Sequence, residues 1–505
     1  MKRAAVLQLT LALQAAVLAA ACSYDRARPH PLRSRRAQVA HLLRRAGFGA
    51  SREMLDEYEA LGLAGAVDRL LDYEQIEDDV EQRIKPFGLD LRKLADLQRW
   101  WLLRMIYTKR PLEEKLVLFW HGLLTSANSR VPLPNPTPQN PNPPHYLLDQ
   151  HNFFRKHALS PYETILQGIS RDPAMMIWLD SQVNNRNKPN ENYARELMEL
   201  FTLGVDHFTE QDVREVARAF TGWGLERGQF VFRVANHDGG VKTILGKTGP
   251  FDGKAVVKLL VEHPQAARYL SRRLFEFFAY PEPSAKDLEP LVAAYVRTGG
   301  SVKAMLRALF TSPAFYSPKA YRAKVKSPAE FAVGAIRTLG AATDGFPLPG
   351  VTTRMGQALF NPPNVAGWPG GVHWLTSTTW LERVNFCNAL VTARNDSRYI
   401  PPPLESIVER HRLTTPEAIV DYFGDLLLDG QVSRPMRETL LGYLTGGPLA
   451  NAPALPAVPA GAPISPGARS AAKQLLAPPI RPAFIDQKVR GLVYLMLVSP
   501  EYQLA

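Results

Sequence analysis

The sequence predicts a mainly α, multi-helix globular protein with one short β-hairpin at about 229–246. Three observations point there. Apolar residues recur near the 3.6-residue period over most of the chain. Capping residues stand where those periodic stretches begin. Strand-like text is confined to one place, Phe230 to Val234 and Val241 to Leu245, with the turn residues Asn236-His237-Asp238-Gly239-Gly240 between them.

Size and composition permit a large core. At 505 residues, with 46% hydrophobic and 21% charged content, the chain has the balance of a soluble globular protein. After Ala21 no stretch approaches the roughly 18 uninterrupted apolar residues that a spanning helix needs.

The first 21 residues have the parts of an export signal: Lys2-Arg3, an apolar run from Ala4 to Ala20, and small residues ahead of Cys22. Leu18-Ala19-Ala20-Ala21-Cys22 resembles a bacterial lipobox, in which the cysteine thiol is acylated and the chain is cut before it. Membrane attachment through lipidated Cys22 is the expectation, and ordinary cleavage after Ala21 is the alternative. Residues 22–40 read as a basic tether. The net charge of +12 falls by two when Lys2 and Arg3 leave, and much of the excess lies in Arg26, Arg28, Arg33, Arg35, Arg36, Arg44 and Arg45. That placement suits an anionic envelope surface. Nucleic acid is not expected as a partner, since no recognised nucleic-acid motif occurs.

From His41 to about Gly447 helical periodicity dominates, over Ala95–Tyr107, Leu112–Leu124, Tyr193–Leu203, Val213–Phe220, Gln265–Phe278 and Leu288–Val296. Val131–Pro144 is a Pro/Asn-rich loop, residues 448–472 are an Ala/Pro-rich insertion expected to be disordered, and residues 473–505 supply a last helix packing back on the domain. Ser-Pro pairs at Ser312, Ser327 and Ser499 read as helix starts. Cys387 lies in apolar text and reads as a buried small hydrophobe.

The densest chemistry lies between Met175 and Trp223. On a helix from Asn190 to Gly204, Asn192, Arg195, Glu196 and Glu199 share a face, either as a solvated stripe with an Arg195–Glu199 ion pair or as catalytic groups. Thr209-Glu210-Gln211-Asp212 is a capping box, which leaves the nearby His207 without a structural task. Glu196 and Glu199 with His207 would serve acid and base work. His237, Asp238 and His121 are candidate ligands for a divalent metal. No metal-binding spacing such as His-Glu-x-x-His supports that set. For His121, in Phe119-Trp120-His121, the bland reading is a buried histidine bonded to a neighbouring carbonyl. Asn361–Gly371, with Trp368, is a rigid turn that either lines a pocket or simply packs. No Gly-x-Ser-x-Gly elbow, haem attachment or zinc cysteine cluster occurs, and Gly246-Lys247-Thr248 fails the P-loop spacing.

Taken together, Asn190–Gly204, Thr209-Glu210-x-Asp212-Val213, Thr221-Gly222-Trp223 and His237-Asp238-x-Gly240-x-Lys242 resemble the bacterial domain-of-unknown-function family numbered 1800, from about His41 to Ser499-Pro500-Glu501-Tyr502. Phe119-Trp120-His121 fits the family's segment, with Gly122 in place of its asparagine. The resemblance implies an exported bacterial protein without an established activity, often encoded beside a second exported family that resembles sulfatases and alkaline phosphatases. It also groups Asn192, Arg195, Glu196 and Glu199 as one pattern. Two functions follow: an envelope protein binding a polymer or such a companion enzyme, or a metal-assisted hydrolase acting on an anionic or polysaccharide substrate.

Overall fold

Helix starts carry their own caps. Ser34, Asp172, Asp252, Ser301 and Thr415 each accept a backbone N–H two or three residues inside the helix they open. Full capping boxes close the starts at Thr209–Asp212, Ser284–Asp287 and Ser327–Glu330. The computed structural model describes residues 30–138, 140, 143–392, 399–445 and 488–505. The expected signal, Cys22, the start of the tether and the Ala/Pro insertion lie outside the described residues.

The expected helices form at Leu94–Tyr107, Pro111–Leu123, Glu210–Ala219, Pro264–Phe278 and Ala285–Thr298. Pro111–Leu123 is buried along nearly its whole length, its Glu113, Glu114, Lys115 and His121 included, with Trp120 fully inaccessible. A continuous apolar core runs from Val39 to Tyr502 and takes in Leu492, Val493, Met496 and Leu497 of the last helix, Arg490–Leu497. That helix packs on Ser377–Thr392 and Pro416–Leu428. Cys387 is part of this core, and burial pushes its thiol up. No helix among the described residues is long and apolar enough to cross a membrane.

Three details differ from the sequence reading. First, the tether is shorter, because Arg35–Arg45 is a helix whose Val39, Leu42 and Leu43 are buried in the core. Three of its arginines have partners: Arg36 reaches Asp56 (2.8 Å) and Glu59 (2.7 Å), Arg44 reaches Asp429 (2.7 Å), and Arg45 donates to the Phe278 carbonyl (2.7 Å). Second, the hairpin region is folded as two hairpins. Strand β1 (Trp223–Glu226) pairs with β2 (Gln229–Phe232), and β3 (Lys242–Ile244) pairs with β4 (Lys247–Gly249), both antiparallel. Their two-residue turns, Arg227-Gly228 and Leu245-Gly246, have positive φ at both positions, which is the turn that matches strand twist. Asn236–Gly240 instead links the two hairpins. Third, only Ser327 of the three Ser-Pro pairs opens a regular α-helix. At Ser312 and Ser499 the hydroxyl accepts the amide three residues on, from Phe315 and Tyr502 (3.3 Å each), with only turns behind Ser312 and a single 3-10 turn, Glu501–Gln503, behind Ser499.

Candidate functional site: an amide-lined cleft

The helix expected from Asn190 to Gly204 has two parts. Asn190 caps Glu191–Glu196 as an α-helix, and Leu197–Thr202 widens into a π-helix. The wide turn leaves carbonyls without the usual partner, and tyrosines from elsewhere donate to them: Tyr269 to Leu200 and Tyr162 to Phe201. The widening re-aims the polar side chains. Arg195 does not pair with Glu199; it forms a fork with Glu210 (2.7 Å on both nitrogens) and a longer contact with Glu191 (3.4 Å). Those partners push the Arg195 guanidinium further up. Glu196 is half-buried, and burial followed by repulsion from Glu199 raises its pKa. Asn192 and His207 are exposed, with His207 on the wall of a separate open groove of about 820 Å³ beside Arg268, Tyr269 and Arg272.

The proposed metal ligands do not meet. Among the described residues no three His, Cys, Asp or Glu side chains group as a metal ion would require. His121 is 2% exposed, and its Nε2 accepts the Phe360 amide (3.1 Å); burial lowers its pKa to about 3, so the ring is neutral. The bond is to an amide, where the sequence reading had a carbonyl. Asp238 is held by Arg218 through two bonds (2.7 and 3.2 Å), which pulls it down to about 2. Its backbone carbonyl takes the buried Lys242 ammonium at 2.6 Å. His237 has Nδ1 at 2.8 Å from the Thr221 carbonyl and packs its ring on Phe232. These residues fix the linker between the hairpins.

A cleft opens between the segment 182–187 and the segment 233–236, beside Gly222 and Trp223. Asn184 ties it together: its Nδ2 donates to the Ala217 carbonyl (2.9 Å), its Oδ1 accepts the Asn190 amide (2.9 Å), and its carbonyl accepts the Gly222 amide (3.0 Å). The Arg186 amide donates to the Asn236 carbonyl (2.9 Å), joining the two walls. Gly222 sits at φ +83°, and a Cβ there would stand 2.6 Å from the Arg233 carbonyl. At Gly224 a Cβ would meet the Arg233 guanidinium at 1.9 Å, so this glycine makes room for the side chain lying across it. The cleft that results is about 330 Å³, lined by Gln182, Asn184, Asn185, Asn187, Asn236 and the arginines Arg186 and Arg233, with Trp223 at its base.

Part of this lining is free to bind. Asn184 and Asn185 spend their amides on the local backbone, whereas Arg186, Asn187 and Asn236 are exposed and make no side-chain hydrogen bond within the described residues. Gln182 Oε1 is shielded from solvent without a donor. Of the lining, Val183 is 62% exposed; Phe232 and Val234, on either side of Arg233 in the chain, are 45% and 73% exposed. Planar amides and guanidiniums beside exposed apolar side chains form a surface that hydrogen-bonds edges and packs against C–H faces.

A second polar cluster, fully internal, escaped the sequence reading. Glu114 is inaccessible and accepts from Trp101 Nε1 (3.0 Å), Arg104 Nε (2.8 Å) and Arg155 Nε (2.9 Å). Burial alone would raise Glu114, but Arg155 and Arg104 hold it at about 2. His151 accepts from Arg155 at 3.1 Å, and its ring packs on Trp101 and Phe360 near His121. Trp368, from the Asn361–Gly371 turn, closes over His121 at 5.6 Å. Next to it, Gln150 donates to Asp172 (2.6 Å), whose carboxyl burial pushes to about 7. No signal in the sequence ties these positions together, because they come from separate helices.

Fold and site together define a mainly helical protein, with a large continuous core and a polar, hydrogen-bonding cleft on its surface. The family described as protein of unknown function (DUF1800) matches residues 41–504, and the chain belongs to it. No curated protein and no solved structure matches it.

Proposed function

We propose that the chain is an exported, lipid-anchored envelope protein that holds a hydroxyl-rich envelope polymer in the amide-lined cleft. The observation that carries this reading is the unspent hydrogen-bonding capacity of Gln182, Arg186, Asn187 and Asn236 beside the exposed Val183. A sugar ring offers hydroxyls at its edge and C–H groups on its face, and this lining is complementary to both. The dispersal of His121, Glu196, His207 and His237 over separate surroundings favours binding over metal-assisted hydrolysis.

The test uses the Cys22→Ser chain, which the reading expects in the soluble fraction. Salt-resistant membrane association of that variant would show the anchor lies elsewhere. The soluble chain should co-sediment with insoluble envelope polysaccharide. The double change Arg186→Ala with Asn187→Ala should weaken this at least about tenfold, roughly 1.4 kcal/mol, without changing the unfolding temperature. Equal sedimentation of parent and double variant would remove the cleft from the account.

A further inference from the structure

The basic helix Arg35–Arg45 meets Pro328–Leu339, the 425–429 segment and the 499–505 segment around a partly open pocket of about 40 Å³. One water needs about 10–15 Å³ on this measure, so the space holds more than a single water. The surroundings are rich in buried positive charge. Arg45 (2% exposed), Lys115 (1%), Lys326 (7%) and Arg383 (1%) cluster here with the half-buried Arg44. The nearby carboxylates are already engaged. Glu330 takes Lys115 and the Ser327 amide (2.8 Å), Asp429 takes Arg44 Nη1 (2.7 Å), and Asp425 takes Arg36 (3.2 Å) and Arg52 (2.8 Å).

Donors are left over at the pocket wall. Arg44 Nε and Nη2 are shielded from water and have no acceptor. Lys326, whose side chain lines the pocket, has its Nζ 3.5 Å over the Tyr502 ring and makes no side-chain hydrogen bond within the described residues. Burial pushes the Lys326 amine well down, and an anion between it and the half-used Arg44 guanidinium would favour the ammonium form and accept the unspent Arg44 donors. A hydroxyl-rich neutral ligand would not offset the charge, and the space is too small for an extended one.

We infer that this pocket binds a small inorganic anion of the halide class, held between Arg44 and Lys326, and that the bound ion locks the N-terminal basic helix to the end of the described chain. The site is separate from the amide-lined cleft and does not depend on its role.

Thermal unfolding of the mature chain at fixed ionic strength tests it, with sodium gluconate replaced by sodium chloride up to 10 mM. The melting temperature should rise by about 3 °C over this range, in proportion to the logarithm of chloride concentration once the site is filled, as for a ligand that binds only the native state. Lys326→Met, which keeps the stem and removes the charge, should abolish the response. Crystals of the parent soaked in bromide should show an anomalous peak beside Lys326 Nζ and Arg44 Nε, a readout that stands even if the variant does not fold. A melting temperature indifferent to chloride, a full response retained in Lys326→Met, or the absence of a bromide peak at that position would each overturn the inference.

Discussion

At the scale of single residues, the internal carboxyls make the clearest demands. Asp172 is buried, accepts from Gln150 and the Met175 amide, and has its pKa raised from 3.8 to about 7 by burial. A raised carboxyl pKa means that the folded chain holds a proton which the unfolded chain has released. Its contribution to stability is therefore complete below pH 3.8 and is lost as pH rises to about 7. Asp172→Asn keeps the acceptor oxygen and removes the ionisation. At pH 8 this variant should be more stable than the parent by on the order of 2–4 kcal/mol, with no gain at pH 4; urea unfolding at both pH values measures it.

Glu114 has the opposite sign. Arg155 and Arg104 hold it at about 2 against the ordinary 4.5, so its contribution is present above pH 4.5 and fades as pH falls towards 2. Glu114→Gln would leave two guanidiniums facing each other in a dry interior. A loss of about 3–5 kcal/mol is expected at pH 7, and much less at pH 2.5, in the same urea experiment. An equal loss at both pH values would show that shape, not charge, matters there. The sequence gives no hint of this network: Glu114 lies in the first turn of a helix, where a carboxylate is usual, and only tertiary packing of Arg104 and Arg155 against it reveals the role.

At the scale of elements, local chemistry was legible and pairing was not. Thr209–Asp212 forms the capping box that its spacing announces, since that bond closes within one turn. Strand partners are set by which turn can form. Asn236–Gly240 looks like hairpin text, but the working turns are Arg227-Gly228 and Leu245-Gly246, each marked only by a single glycine. Arg227 and Leu245 take the left-handed conformation that asparagine adopts at lower cost, so Arg227→Asn should stabilise the chain by about 0.5–1 kcal/mol. Differential scanning calorimetry checks the sign; a decrease would mean that Arg227 contributes through its side chain. The π-turn at Leu197–Thr202 was equally hidden, since its cause is the pair of tyrosines, Tyr162 and Tyr269, arriving from other helices.

The whole molecule shows why the basic N-terminal stretch reads as a tether and yet folds in. Charge density alone suggests solvent or membrane, but Val39, Leu42, Leu43 and Ala46 recur at three- and four-residue spacing and belong to the core. Their burial carries Arg44 and Arg45 inside, where Asp429 and backbone carbonyls receive them. Arg33 and Arg35 remain exposed, so the stretch divides, with Arg44 and Arg45 turned into the fold.

The same long-range closure governs the far end of the chain. The described chain leaves the helix Arg434–Thr445 and returns at Lys488, whose ammonium donates to the Tyr443 carbonyl at 2.9 Å and lies 4.7 Å over the Tyr443 ring. Gly491 sits so close to Tyr443 that an added Cβ would stand 1.9 Å from its hydroxyl. The two ends of the intervening segment are thus fastened to each other by contacts that lie entirely outside it. Removing residues 448–472 leaves those contacts intact and shortens the loop to be closed. The entropic gain grows only with the logarithm of loop length, which limits the change to about 1 kcal/mol in the favourable direction. The shortened chain should melt at the parental temperature or slightly above it and bind polysaccharide like the parent. A fall of several degrees in calorimetry would mean that the removed residues contribute contacts of their own.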